Sequence, residues 1–354
     1  MTPQPALRVL DRLAHVSTSR GAPDLGERLA NLDRFVRGAL IEFEAELKTI
    51  PQGPRAVQLA AHHLLDLKGK HLRPLCVALA SRFGEGFTPR ARGLALAVEL
   101  VHTATLLHDD VVDLADRRRG RPAARVIYGN AASIFAGDWL LVAALRRIAA
   151  AGVDGLLDRM LGVIDEMILA ESIQLERRGT LASTAELRDA YFKVVEGKTA
   201  ALFRWAMVAG ARVAGMSPAE EAAIERYGLH LGVAFQAIDD ELDFADTTGK
   251  DPFADLREGK ITYPLVIALE REPALRTRIE RAITSDQTID LTDAARSELQ
   301  AIALAVRETG ALLATRKLAE EHVDQALAAL AELPPGPSRD ALTTVALASL
   351  ERTS

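Results

Sequence analysis

Only one cysteine, Cys76, stands in the 354 residues. That excludes an internal disulfide and a zinc site built from cysteines alone, and it fits a reducing cytoplasm with Cys76 as core filler. Aromatic residues are scarce at 5% although hydrophobic residues reach 49%. The apolar content is therefore carried by good helix formers such as Ala and Leu rather than by strand-forming residues, which predicts an all-α fold. A basic excess is missing too: the net charge of −6 and pI near 5.8 argue against a nucleic-acid partner and leave a small or acidic substrate open. Charges interrupt every apolar run before it reaches the length of a membrane span. The opening residues, MTPQPALRVLDR, lack the basic start and apolar core of a signal peptide, so a cytoplasmic protein without an integral membrane segment is expected. Internal repeats, low-complexity tracts and convincing strand runs are absent from the pattern.

What is there is helical periodicity. From Leu25 to Leu47 apolar residues recur at helical spacing (Leu29, Leu32, Phe35, Val36, Leu40, Ile41, Phe43), and Pro51-Gln52-Gly53-Pro54 stops the helix. A second helix is predicted to about Leu67, then others over 72–84, 90–113, 131–151, 155–178, 184–214, 218–246 and 260–272. A last one follows Leu333-Pro334-Pro335-Gly336-Pro337. Ser183-Thr184-Ala185-Glu186 and Ser217-Pro218-Ala219-Glu220 read as capping boxes. Ser285 to Thr292 reads as a variable loop. One large helical bundle domain over 1–354 is the economical expectation, with 1–22 as a flexible N-terminal extension.

Two acidic clusters break the apolar pattern. In His108-Asp109-Asp110-Val111-Val112-Asp113, a turn of about 100° per residue brings Asp109 and Asp113 onto one helix face with Asp110 beside them. Phe235-Gln236-Ala237-Ile238-Asp239-Asp240-Glu241-Leu242-Asp243 repeats the geometry. Like charges at i, i+4 repel unless a cation neutralises them, and hard oxygen donors select magnesium shared with substrate phosphates. A lone acidic triplet is usually a solvated helix face. Here both copies are flanked by apolar turns, Thr105-Leu106-Leu107 and Val233-Ala234-Phe235, which points instead to acids lining a cavity. Basic groups punctuated by Gly and Pro supply candidate diphosphate ligands: Lys70 with Arg73, the run Arg117-Arg118-Arg119-Gly120, Lys198 in Gly197-Lys198-Thr199, and Lys250 with Lys260.

The order of these motifs carries a resemblance. Gly69-Lys70-His71-Leu72-Arg73-Pro74, His102 through Asp113, Arg118-Arg119-Gly120, Gly197-Lys198-Thr199, Phe235-Gln236 through Asp243, and Asp255 through Lys260 together resemble the trans-isoprenyl diphosphate synthases, particularly the polyprenyl branch, over about residues 65 to 270. The resemblance implies an isoprenoid-synthase-type helical bundle around a central cavity. It also implies a prenyltransferase that condenses an allylic diphosphate with isopentenyl diphosphate, three magnesium ions per active site and a homodimer. Asp109 and Asp113 would bind metal from the first cluster and Asp239 from the second, with Asp110, Asp240 and Asp243 as outer or water-mediated ligands. Arg118, Lys198 and Lys260 would contact the allylic diphosphate. Lys70, Arg73, His102 and Arg119 would cradle isopentenyl diphosphate, Thr199 and Gln236 would line the reacting centre, and Lys250 would close over the metal. Arg352, in the C-terminal Glu-Arg-Thr-Ser, carries no assignment. Short-chain relatives tend to block the turn before the first aspartate with aromatic residues. Ala104 and Thr105 stand there, which implies a product longer than farnesyl. A class I terpene cyclase and a non-catalytic subunit of a heteromeric synthase are the alternatives. Lys70, Arg73 and His102 count against the first, and the completeness of both acidic clusters counts against the second.

Overall fold

A computed structural model of the chain describes residues 23–67, 69–244, 254–284 and 293–352. Lys250, one of the expected ligands, and the loop 285–292 lie outside these residues. The described chain is all-α. Its helices are α1 (Pro23–Leu47), α2 (Ala56–Leu65), α3 (Leu72–Ser81), α4 (Pro89–Val112), α5 (Ala124–Tyr128), α6 (Asn130–Ala151), α7 (Leu156–Glu176) and α8 (Thr184–Val194). There follow α9 (Ala201–Ala214), α10 (Pro218–Asp243), α11 (Ala254–Arg257), α12 (Tyr263–Arg271), α13 (Arg276–Thr284), α14 (Asp293–Glu308), α15 (Ala311–Ala331) and α16 (Pro337–Leu350). The only strands among the described residues are the two-residue pair β1 (Arg117–Arg118) and β2 (Arg121–Pro122).

Both predicted capping boxes form. Ser183 accepts from the Glu186 N–H while Glu186 accepts from the Ser183 N–H, and Ser217 with Glu220 does the same. The predicted window 184–214 is not one regular helix: between α8 and α9 the residues Val195–Ala200 form a π-helical turn. The window predicted from 260 opens as a helix only at Tyr263, after Gly259 turns the chain with φ 69°.

The helices group into two compact units. The first takes the described residues up to Gly162, then Leu202–Gly228 and Leu327–Ala348. At its centre runs α4, where every residue from Leu94 to Val101 is sequestered, with α6 and α3 packed along it. Each large aliphatic side chain buried in this way contributes roughly 1.5–3 kcal/mol. Trp205 donates its indole N–H to Leu156 O (3.2 Å) and Tyr227 its hydroxyl to Leu342 O (2.8 Å), so the big aromatics of this core satisfy their polar ends. Cys76 is buried here as expected, and burial pushes its thiol up to about 12. The second unit takes Val163–Ala201, Leu229–Ala326 and the C-terminal residues from Ser349. Within it α12 packs against α8, with Tyr191, Phe192 and Tyr263 in mutual ring contact.

Candidate active site

In the first unit α4 changes character along its length. Buried through Val101, it then presents His102, Thr105, Leu106, His108 and Asp109 partly to solvent. The helix ends at Val112 and Asp113 is its C-cap, but the Asp113 N–H still donates to Asp109 O (2.8 Å), so the expected stacking of the two acids is kept. Leu114 turns the chain with φ 52°, and Arg125 holds that turn by donating to the carbonyls of Leu114 and Ala115 and to Asp116 Oδ1.

The arginine run then folds into a hairpin. Arg118 pairs with Arg121, and the connecting residues Arg119 (φ 51°) and Gly120 (φ 78°) both have the positive φ that a tight primed turn requires. The hairpin returns Arg118 onto Asp110: its Nε lies 2.8 Å and its Nη2 2.5 Å from Asp110 Oδ1. Asp110 is only 1% exposed. Burial, helped by Asp113, raises its carboxyl above the usual range against the pull of Arg118.

The expected isopentenyl diphosphate ligands gather at the N-terminus of α3. Arg73 places its guanidinium 4.7 Å above the Phe203 ring, and Arg119 donates to Leu67 O (3.3 Å). Between Lys70 and Arg73, His71 adopts a left-handed backbone (φ 47°, ψ 38°) and donates from Nδ1 to Glu99 Oε1 (2.9 Å). Burial alone would raise Glu99, yet His71 and Arg73 hold it down at about 2. For His71 burial opposes the charge, but Glu99 outweighs it and the imidazole is raised. His102 keeps a partial opening to solvent, and its enclosure beside Arg73 still lowers it to about 3, leaving it neutral near pH 7.

Of the two expected chain-length residues, Ala104 is wholly buried, whereas Thr105, one turn before Asp109, is partly buried and donates back to His102 O (2.8 Å).

In the second unit a cleft collects Lys198, Thr199, Gln236, Asp240 and Lys260, five residues expected to act together, with Tyr191 and Asp255 in its wall. The π-helical turn sets the near side. A Cβ on Gly197 would stand 2.9 Å from both Ala170 Cβ and Glu166 O, so glycine lets this turn lie against α7. Lys198 there is ion-paired with Glu171 and donates to Gln174 Oε1 (3.2 Å). π-turns recur at functional sites because the extra residue re-aims neighbouring side chains. Thr199 Oγ1 donates to Gln236 Oε1 (2.9 Å), and Gln236 Nε2 donates to Asp240 Oδ1 (2.8 Å). Across the cleft Lys260 donates to Glu258 (2.5 Å).

Asp240 is 1% exposed. Burial, with Asp255 and Asp239 adding, raises its carboxyl well above the ordinary range despite the bonds that favour the anion. Its Oδ2 is buried, with the Tyr191 hydroxyl as a hydrogen-bonding neighbour of the carboxylate. A buried oxygen donor among like charges fits a hard divalent cation. Among the described residues no three acidic, His or Cys side chains close into a full ligand shell.

Asp239 accepts from Arg352 Nη2 (2.7 Å), while Arg352 also donates to Phe235 O (3.3 Å) and lies 3.7 Å above the Phe235 ring. Glu241 is held by Arg316, which also donates to Leu350 O (2.8 Å), and Arg307 donates to Phe244 O (2.7 Å) at the end of α10. Sequence reasoning missed Glu99, Arg125, Glu171, Gln174 and Tyr191, gave Asp255 no role although it opens the motif ending at Lys260, and left Arg352 unassigned. Glu99 alone carried a signal, as an acid inside the apolar run Leu94–Val101.

The family model for Polyprenyl synthetase matches residues 54–299. The chain is 35% identical to the octaprenyl diphosphate synthase of Escherichia coli (strain K12), covering 87% of this chain and 94% of that protein. It is 36% identical to the all-trans-nonaprenyl-diphosphate synthase (geranyl-diphosphate specific) of Rhodobacter capsulatus, over 84% of this chain and 89% of that one. Its fold superposes with a TM-score of 0.82 on a polyprenyl synthase from Caulobacter crescentus solved with calcium and isoprenyl diphosphate. That pair is 35% identical over 92% of this chain and 98% of the other. The ordered motifs, the all-α architecture and these relatives agree: the chain belongs to the polyprenyl synthetase family.

Proposed function

We propose that this protein is an all-trans polyprenyl diphosphate synthase, a prenyltransferase that adds isopentenyl diphosphate to an allylic diphosphate and makes a product longer than farnesyl. The observation that carries this reading is the cleft that brings Lys198, Thr199, Gln236, Asp240 and Lys260 together. Two lysines beside a buried, cation-seeking carboxylate suit a diphosphate accompanied by metal. A cyclase needs only one diphosphate group. The second basic group, Lys70, Arg73 and Arg119 with neutral His102, supplies a place for another, and this favours the two-substrate reaction.

Magnesium, three ions in all, would supply charge stabilisation for the departing diphosphate; its candidate ligands are Asp109 and Asp113 backed by Asp110 in the first unit, and Asp239 backed by Asp240 and Asp243 in the second. The chain's own residues do the rest. Lys198 and Lys260 bind the leaving group, taking its oxygens in exchange for Glu171 and Glu258. In the first unit Arg118, oriented by Asp110, offers its guanidinium to diphosphate oxygens. Thr199 and Gln236, locked by their mutual hydrogen bond, line the centre where charge develops on carbon. Lys70, Arg73 and Arg119 hold the isopentenyl diphosphate, whose double bond attacks the allylic carbon as its carbon–oxygen bond breaks. A proton then leaves the adduct to restore the double bond, with released diphosphate as the acceptor.

A homodimer working in the cytoplasm is part of the same proposal. Large apolar side chains exposed on α6 (Phe135, 60%; Val142, 49%) and on α7 (Ile168, 62%; Leu169, 57%) support the self-association. No described helix is long and apolar enough to cross a membrane. The test is incorporation of labelled isopentenyl diphosphate into a lipid-extractable product. Label should move only when an allylic diphosphate and magnesium are both present, and chelation should abolish it. Incorporation without the allylic partner or without divalent metal contradicts the proposal.

A further inference from the structure

The group at the N-terminus of α3 contains an ion pair that binds no substrate in the scheme above. His71, Arg73 and Arg119 bring three basic side chains around one point, with Lys70 next to His71 in the chain, and such crowding is unfavourable unless a counter-charge is built in. Glu99, 6% exposed on α4, is that counter-charge. It meets His71 Nδ1 at 2.9 Å. His71 is itself 9% exposed and makes no side-chain capping bond to α3, so its ring is committed to Glu99 instead. Its left-handed backbone is a conformation that a non-glycine residue adopts at a cost, and it sits between the two expected ligands, Lys70 and Arg73. The surroundings leave the ring little freedom. The Phe43 ring of α1 lies 5.2 Å away, Glu44 of the same helix adds a weaker attraction, and Arg119 of the hairpin turn repels it. The ideal Cβ position on Gly69 is 3.1 Å from the His71 ring and 3.3 Å from Arg119 Nη1, so the backbone, the ring and the arginine are packed against one another.

We infer that the buried His71–Glu99 pair is a positioning device. It holds the Lys70–Arg73 turn in the conformation that binds the isopentenyl diphosphate headgroup, and it weakens that binding as pH rises and the imidazolium is lost. The inference rests on the assignment of this basic group to the second diphosphate. Once His71 loses its proton, Glu99 is left as a buried carboxylate facing a neutral ring, and it competes with the diphosphate for Arg73 and Arg119. Both arginines already feel its charge. His71 and Glu99 touch no substrate in this arrangement, so they are positioning residues and their effect should appear in the KM for one substrate only.

The experiment measures initial rates with wild type, His71→Arg, His71→Asn and Glu99→Gln between about pH 6.5 and 9. Isopentenyl diphosphate is varied at saturating allylic diphosphate, and then the reverse. In wild type the KM for isopentenyl diphosphate is expected to climb across this range while the allylic KM stays flat. His71→Arg keeps a permanent cation opposite Glu99, so it should keep the fold and lose the climb. His71→Asn and Glu99→Gln should raise that KM about tenfold at neutral pH, with a smaller change in kcat. A climb that persists in His71→Arg overturns the inference, because it would belong to the substrate or to another group. So does an unchanged KM in His71→Asn, or a parallel rise in both KM values. If wild type shows no dependence on isopentenyl diphosphate at all, the assignment of the second diphosphate fails, and the pair is then not what is at fault.

Discussion

Gly197 is where packing and function meet most tightly, and replacing it by alanine separates the two. The added Cβ would lie 2.9 Å from Ala170 Cβ and 2.9 Å from Glu166 O, whereas unstrained carbon contacts fall at about 3.5–4 Å. Neither neighbour can rotate aside, since one is a backbone oxygen and the other a Cβ fixed to α7. The π-helical turn and α7 must therefore move apart by several tenths of an ångström. Overpacking of this kind costs about 1–3 kcal/mol, and the better helix propensity of alanine returns about 1 kcal/mol. A net loss of roughly 0–2 kcal/mol follows, a few degrees in Tm for a protein of this size. The catalytic effect should be larger. The same shift moves Lys198 away from Glu171 and Gln174 and moves Thr199 relative to Gln236, and a misplacement approaching 1 Å can cost about 10²-fold in rate. Gly232→Ala presses on the turn from α10, its Cβ falling 2.5 Å from Ala200 Cα, and should act in the same direction. Gly162→Ala, on α7 with nothing within 4 Å of the new Cβ, is the control and should be neutral or slightly stabilising. The assays are thermal melts and kcat/KM for the allylic diphosphate. A Gly197→Ala enzyme that matches Gly162→Ala in both would refute the claim that this turn positions Lys198 and Thr199.

Asp109→Ala and Asp239→Ala should each lower turnover by about 10³-fold or more, with helicity by circular dichroism nearly unchanged, since the acids serve charge stabilisation and not the core. Thr105→Phe, at a partly buried position one turn before Asp109, should shorten the product seen by chromatography. Ala104→Phe is expected to destabilise as well, because Ala104 is wholly buried. The stability of the His71–Glu99 pair should follow pH with a definite sign. The raised His71 contributes fully below its unfolded value of about 6.5 and loses its contribution as pH climbs through the folded one. Glu99, held at about 2, contributes above its unfolded value and loses that only in strong acid. Breaking a buried pair costs about 3–5 kcal/mol, so urea melts should show the deficit of His71→Asn greatest between about pH 4.5 and 6.5 and shrinking above.

The longer helices up to Arg271, the capping boxes and the order of motifs were legible because each is written in residues close along the chain, whereas α13, α14 and α15 were given no window. Thr88 and Pro89 start α4 as the local pattern suggests, and the window 90–113 misses its ends by a residue. What was not legible arises between elements. The π-turn at Val195–Ala200 reads as plain helix, because what makes it useful, the contact of Gly197 with α7, joins residues far apart in sequence. Glu171 and Gln174 sit on α7 with no Gly, Pro or repeated acid to mark them, so the partners of Lys198 could not be found. Arg352 is one of many arginines until the fold of the second unit lays it on Asp239 and the Phe235 ring. The short helices α5 and α11 fall below the length at which periodicity can be counted.

The central claim is two-substrate chain elongation, and product analysis tests it most directly. Purified protein is incubated with isopentenyl diphosphate, magnesium and, in turn, geranyl, farnesyl and geranylgeranyl diphosphates, and the dephosphorylated products are separated by chromatography. The account predicts all-trans prenyl alcohols lengthened beyond farnesyl in steps of one isoprene unit. Release of diphosphate from the allylic substrate alone, with a cyclic or hydrolysed hydrocarbon and no elongation, would contradict it.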